Sequence, residues 1–329
     1  MVGSIMTITC VLLWLPFFLQ TDFEQTITQI DHLNFRNSIV INKFVALSIT
    51  LLLSILNGLF ISTFTYLLRI TKEKNLFPFN LYLLSLAPFP ELHTRFDLQI
   101  ALFLLIIAIF LLHKIYKPRT PIEEVFQITL CLSFCTMIVP ESIIFFPILF
   151  LFLLMQRKLS LRVFLSILIG LFVSVSLLFI YFYYSQTWSN FVSHAYSIFL
   201  FDENSLTLLQ HFALQDILII SFFLVGISAI IHYVIVYLQY TYHTRSTINN
   251  LIFIFLLLSP FIIFKINTFD SLKPVWIATL CTFVSNMFIG QNNWFRYVLF
   301  YLYIFIQFAC YILLFLPDKY TLLISPWKY

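Results

Sequence analysis

Long apolar runs separated by short polar segments make up most of the chain. We identify eleven runs, at residues 5–20, 44–69, 76–90, 98–116, 122–139, 142–156, 163–184, 216–240, 250–265, 274–290 and 294–316. A helix needs about 20 residues to cross the hydrocarbon core of a bilayer, and several of these runs are shorter. The pattern therefore predicts an all-α fold, a polytopic transmembrane helical bundle of about 9–11 spans that forms one domain over residues 1–329.

Two parts of this pattern allow more than one topology. The run at 76–90 ends in the sequence APFP, and the runs 122–139 and 142–156 are joined by a tight turn at Pro140-Glu141. Irregular backbone is tolerated at membrane depth only where protein or water covers it. These segments are therefore either full crossings or re-entrant or broken elements packed inside the bundle.

Two segments are longer than simple connectors, residues 21–43 and 185–215. In the first, Ile27, Ile30 and Leu33 recur near helical spacing, and the second repeats this kind of pattern. Both segments are predicted to be amphipathic helices that lie in the membrane interface on the outer face.

The composition excludes a soluble domain and a disordered chain. Of the 329 residues, 61% are hydrophobic and 10% are charged, and the mean hydropathy is +0.98. Soluble proteins average about 45–50% apolar and about 25% charged residues. The net charge of +4 is small and is divided between the two sides of the membrane, so we predict no binding to nucleic acid.

Basic residues predict the orientation of the bundle. Alternate loops hold three successive clusters of basic residues: Arg69, Lys72 and Lys74; Lys114, Lys117 and Arg119; Arg157, Lys158 and Arg162. Loops rich in Lys and Arg stay in the cytoplasm. The N-terminus is therefore predicted to be cytoplasmic, and the loops that carry most of the acidic residues are predicted to face outward.

Several motifs resemble those of one known family. They are VLLWLPFFLQ (11–20), LLSILNGLF (52–60), NLYLLSLAPFPEL (80–92) and the tight hairpin before a basic loop within 113–172. Over residues 10–185 the chain resembles an uncharacterised polytopic inner-membrane protein family of Bacteroidota, a domain of unknown function. The resemblance implies a helix bundle in the bacterial cytoplasmic (inner) membrane, and it implies no activity.

Polar residues inside the predicted spans are candidates for function or for packing. Asn57 lies near the middle of the second span, beside Gly58, and Asn286 lies in the tenth. Each can hydrogen-bond across a helix contact or, alternatively, bind a substrate. His232 is predicted to be a hydrogen-bonded packing residue, with a proton relay as the alternative. Neither the cysteines nor the histidines match the spacing of a metal site, and we predict no metal and no cofactor.

Charged and polar residues gather on the predicted outer rim. Glu91, His93, Arg95 and Asp97 follow the third run directly. Acidic residues after a span can simply form a solvated rim, which is the simpler interpretation.

The same rim also fits an enzyme that uses a polyprenyl-phosphate donor. Such an enzyme needs a carboxylate base near the membrane surface, for which Asp22, Glu24 and Glu91 are the candidates. It also needs a cation for the phosphate, for which Arg36 and Arg95 are the candidates.

Three functions follow from these observations. The favoured one is a non-catalytic envelope-assembly or scaffold component, because no strong catalytic motif is found. The alternatives are a membrane-embedded glycosyltransferase-like enzyme with a polyprenyl-linked donor at the outer face, and a transporter or lipid flippase. The predicted partners are membrane lipid and either other envelope membrane proteins or a polyprenyl-linked glycan.

Overall fold

The protein is represented by a computed structural model, which describes residues 7, 10–19, 43–71, 74–93, 95–115, 120–185, 214–263, 271–289 and 294–314. Every regular element within these ranges is helical. The all-α class predicted from the apolar runs is therefore confirmed.

Twelve α-helices are found in the described ranges. They are α1 (Leu15–Leu19), α2 (Lys43–Leu67), α3 (Phe77–Leu86), α4 (Pro90–His93), α5 (Phe96–Lys114), α6 (Ile122–Ile138), α7 (Phe145–Met155), α8 (Leu161–Ser185), α9 (Leu214–Val236), α10 (Tyr242–Ile263), α11 (Lys273–Ile289) and α12 (Trp294–Leu314). Short 3₁₀ segments at Pro140–Ile144 and Tyr237–Gln239 precede α7 and follow α9.

Within the residues that the structure describes, five helical segments are long and apolar enough to cross a membrane. They are Phe44–Leu67, Phe96–Lys114, Asp216–Gln239, Tyr242–Ile263 and Arg296–Leu313. These helices support a multi-pass membrane protein. The predicted interfacial segments 21–43 and 185–215 lie almost entirely outside the described residues.

The run at 76–90 forms a short helix surrounded by protein. Helix α3 has 10 residues, and every residue from Pro78 to Leu86 is buried. At a rise of about 1.5 Å per residue, α3 is only about 15 Å long and cannot cross a bilayer by itself. The helix is interrupted at Ala87 and Pro88 and continues as α4. This segment is therefore a broken helix.

One of two compact units comprises residues 1–19, 54–93 and 203–329. Its core is aromatic. The Trp276 ring of α11 is stacked on Phe255 with a centroid distance of 5.3 Å, and it meets Phe222 edge-on. The Trp276 Nε1–H donates to Ser259 Oγ at 3.0 Å, so its polar edge is satisfied within the apolar core.

Hydrogen bonds pair the helix ends of this unit as an alternating up-and-down topology requires. Thr244 Oγ1, near the start of α10, donates to the carbonyl of Leu68, just beyond the end of α2. Arg296 Nη2, near the start of α12, lies 3.1 Å from His232 Nδ1 in the last part of α9. Each contact joins the end of one helix to the start of another.

The other compact unit comprises residues 20–53 and 94–202. Within it, α6 packs against both α5 and α8. The predicted tight turn after α6 is a 3₁₀ segment, closed by a 3.0 Å contact between Cys135 Sγ and Ser142 Oγ. A Cβ on Gly170 of α8 would come within 2.9 Å of the Thr129 side chain, so glycine permits the close approach of α8 to α6.

Candidate functional site at the rim of α4

The rim site consists of Trp14, Phe17, Glu91, His93 and Lys273, all in the compact unit that holds α3 and α11. Lys273 Nζ donates to Glu91 Oε1 at 2.7 Å. The Lys273 side chain is 5% exposed, whereas that of Glu91 is 42% exposed. The ion pair therefore has one buried and one half-exposed member.

Local sequence explains why a carboxylate is needed beside Lys273. Lys273 is the first residue of α11, where the partial positive charge of the helix dipole opposes a cation. Glu91 provides the compensating negative charge. The Phe89 ring adds a cation–π attraction, because its centroid lies 5.8 Å from Lys273 Nζ.

His93 lies at the end of α4 and is almost completely buried. Its ring is stacked on Trp14 with a centroid distance of 4.0 Å, and Phe17 meets it edge-on at 4.1 Å. Its Nε2 lies 3.2 Å from the carbonyl oxygen of Leu86. Burial lowers the pKa of His93 to about 3, because desolvation disfavours the imidazolium, and the Leu86 bond opposes that shift only in part.

The neutral state fixes the roles of the two ring nitrogens. Since the Leu86 oxygen can only accept, Nε2 carries the proton and Nδ1 is an acceptor. Among the described residues, neither His93 Nδ1 nor the stacked Trp14 Nε1–H has a hydrogen-bond partner. One acceptor and one donor are therefore buried beside each other without partners from this part of the chain.

The N-terminal segment is tied to the rim site by α12. The Tyr311 hydroxyl donates to the Leu13 carbonyl, and the Tyr311 ring meets Phe17 at an angle of 71°. These contacts place Trp14 and Phe17 against His93.

Of the five predicted base and phosphate residues, the structure describes Glu91 and Arg95. Glu91 belongs to the rim site, whereas Arg95 is in the other compact unit, where its Nη2 donates to Asp97 Oδ2 at 3.0 Å. Asp22, Glu24 and Arg36 lie outside the described residues. Their predicted roles as base or phosphate ligand stay predictions.

Asn57 lies within a helix contact. It is 1% exposed, and a Cβ on the adjacent Gly58 would come 2.7 Å from Phe79 Cδ2 and 3.3 Å from Tyr82 Cδ1. Helix α3 therefore lies directly on α2 at this point, which supports a packing role for Asn57. Asn286 is in a similar position, because its Nδ2 donates to the Tyr240 hydroxyl beyond the end of α9.

Sequence reasoning did not identify Lys273 or Trp14 as members of this site. Glu91 and Lys273 are 182 residues apart, and no local spacing connects them. The available signal was that Lys273 directly precedes an apolar run on the predicted acidic side.

The rim site has one carboxylate, one ammonium and one neutral imidazole, and its described members include no nucleophile adjacent to a base. Within the described part of the chain, no group of three or more His, Cys, Asp or Glu residues is placed to hold a metal ion. No known protein family, curated protein or solved structure shows significant similarity to this chain.

Proposed function

We propose that the protein is an integral membrane component that assists envelope assembly or holds partner proteins through helix contacts, without chemistry of its own. The observation that carries this proposal is the Glu91–Lys273 ion pair. Glu91 is the one candidate base within the described residues, and its Oε1 links α4 to the start of α11. The bacterial cytoplasmic membrane, suggested by the family resemblance, is the proposed location.

The surface of α12 supports contacts with other membrane helices. This helix contains the least buried of the five candidate spans. Its exposed face is a stripe formed by Tyr297, Tyr301, Phe305, Phe308 and Ile312. Aromatic rings provide a large contact area at low conformational cost, so the stripe suits either lipid or a partner helix.

One observation favours the glycosyltransferase-like alternative. His93 Nδ1 and Trp14 Nε1 are buried without described partners on the predicted outer side, where an incoming polar group could bind both. We retain this alternative as the second candidate. It needs Asp22, Glu24 or Glu91 as a base.

Complementation of a deletion strain separates the two candidates. The Asp22→Asn, Glu24→Gln and Glu91→Gln variants are compared at expression levels adjusted to give wild-type abundance in the membrane, and we expect each to restore the envelope phenotype fully. Asp97→Asn is the matched control, because it removes a rim carboxylate that was not a candidate base. Loss of complementation by one candidate at normal abundance, with Asp97→Asn active, would refute the scaffold proposal.

A further inference from the structure

A cavity of about 370 Å³ lies between the starts of α6 and α8. Helix α6 contributes Ile122, Glu123 and Phe126, and α8 contributes Arg162, Leu165, Ser166 and Ile169. We call this space the α6–α8 cavity. Its volume falls in the usual range for small-molecule sites, about 300–1,000 Å³.

The cavity is built by one face of each helix. Its α6 residues lie at positions i, i+1 and i+4, and its α8 residues lie at i, i+3, i+4 and i+7, so each set lines one side. Ser166 Oγ donates to the Ile122 carbonyl at 2.7 Å and joins the two helices beside the cavity. The lining is thus held by a defined interhelical bond.

Two opposite charges and four apolar side chains give the cavity its character. Glu123 and Arg162 are both exposed, and neither forms an ion pair with a residue in the described part of the chain. The apolar lining is provided by Ile122, Phe126, Leu165 and Ile169. The cavity therefore offers an anion site at Arg162 and a cation site at Glu123, both beside an apolar surface.

From this charge arrangement we infer that the α6–α8 cavity binds the headgroup and upper acyl chain of a zwitterionic phospholipid that carries a primary amine, of the phosphatidylethanolamine class. The Arg162 guanidinium donates to the lipid phosphate, since its fork of N–H groups matches phosphate oxygens. The Glu123 carboxylate accepts from the ammonium. The acyl chain lies against Phe126, Leu165 and Ile169.

The Glu123 carboxylate also selects against other headgroups. It lines the cavity in the first turn of α6, so a headgroup with only negative charge is repelled. A choline headgroup has no N–H to donate to Glu123. The site also has the position that a lipid requires, because Arg162, near the start of α8, belongs to a basic cluster predicted to lie at the cytoplasmic membrane surface.

Native mass spectrometry of the detergent-purified protein tests this inference. The probes are phosphatidylethanolamine, phosphatidylcholine and phosphatidylglycerol with identical acyl chains. We expect the wild type to retain the ethanolamine lipid best. Glu123→Gln should remove its advantage over the choline lipid, a change of about two- to fivefold for an exposed ion pair. Arg162→Gln should weaken retention of all three lipids.

Matched controls show whether the effect belongs to the cavity. Glu124→Gln and Arg157→Gln neutralise neighbouring charges that do not line it, and both should behave as the wild type. All four positions are at the surface or half-buried, and size-exclusion chromatography confirms that each variant stays folded. Equal retention of the three lipids, preference for the glycerol lipid, or equal loss in the control variants would each overturn the inference. None of these outcomes bears on the envelope-scaffold proposal.

Discussion

Lys273 Nζ and Glu91 Oε1 meet at 2.7 Å although 182 positions separate the two residues in the chain. The bond closes the rim of one compact unit by joining the segment after α3 to the first residue of α11. A buried ammonium needs a compensating charge, because removal of an ion from water costs several kcal/mol. The negative charge of Glu91 therefore offsets the cost of burying Lys273 at the start of α11.

Removal of the Glu91 charge should destabilise the protein more than removal of both charges. Glu91→Gln leaves Lys273 buried near the N-terminal end of a helix dipole. We expect the free energy of unfolding to fall by about 1–3 kcal/mol. This loss is smaller than for a fully buried pair, because Glu91 is half-exposed. Lys273→Met combined with Glu91→Gln should regain most of that loss. Thermal unfolding in detergent of the wild type, both single variants and the double variant gives the coupling.

Additive effects in that cycle would show that the two side chains do not interact. Asp97→Asn serves as the control for a partly exposed pair, since Arg95 and Asp97 are 29% and 25% exposed. Its effect should be no more than about 1 kcal/mol.

His93 should make the protein less stable in mild acid. Its folded pKa is about 3, whereas an unfolded histidine has a pKa of about 6.5. Between these values the unfolded chain binds the additional proton. Stability is therefore full above pH 6.5 and falls below it, by at most about 1.4 kcal/mol for each pH unit.

The readout is the change in melting temperature between pH 7.5 and pH 5.5. His93→Phe keeps an aromatic ring against Trp14 and removes the titrating group, so its melting temperature should depend less on pH. His243→Gln is the control for the loss of a histidine at an exposed position. An unchanged pH dependence in His93→Phe would contradict the burial of a neutral imidazole.

The helices were predictable from the sequence because their apolar runs are long and uninterrupted. The run at 274–290 corresponds to α11 at Lys273–Ile289, and the run at 44–69 corresponds to α2 at Lys43–Leu67. Hydropathy is a local property and needs no knowledge of tertiary contacts. The division of the 76–90 segment into α3 and α4 was signalled by Pro88 and Pro90.

The rim site was less predictable, because its contacts are not local. His93 was expected only as one member of a polar rim, yet it is buried against Trp14 and Phe17 from the N-terminal segment. Arg95, a candidate phosphate ligand, is paired with Asp97 two residues away. Spacing along the sequence does not show which aromatic ring covers a given histidine, since that depends on how distant helices pack.

Gly58 should resist even the smallest substitution. Gly58→Ala places a Cβ 2.7 Å from Phe79 Cδ2 and 3.3 Å from Tyr82 Cδ1, and both rings are buried and have little room to move. Overpacking of this kind costs about 1–3 kcal/mol. Ser48→Ala, on an exposed turn of the same helix α2, provides a control with a similarly small change. Equal melting temperatures for Gly58→Ala and the wild type would show that α3 does not lie on α2 at this position.

The orientation of the bundle can be decided with reporters fused after residue 70 and after residue 158. Both positions lie in loops with clustered Lys and Arg, which the positive-inside rule retains in the cytoplasm.

The fold adds a second constraint on one unit, because Thr244 bonds to Leu68 and places the start of α10 at the same end as residue 70. A reporter inserted at residue 241 should therefore have the same accessibility as the one at residue 70, whereas a reporter after residue 271, next to the Glu91–Lys273 pair, should have the opposite accessibility. We expect cysteine labelling by a membrane-impermeant reagent in intact cells to modify only the reporter after residue 271. Labelling at residues 70 and 158 with protection at 271 would invert the orientation, and it would place the acidic rim in the cytoplasm, away from any polyprenyl-linked donor at the outer face.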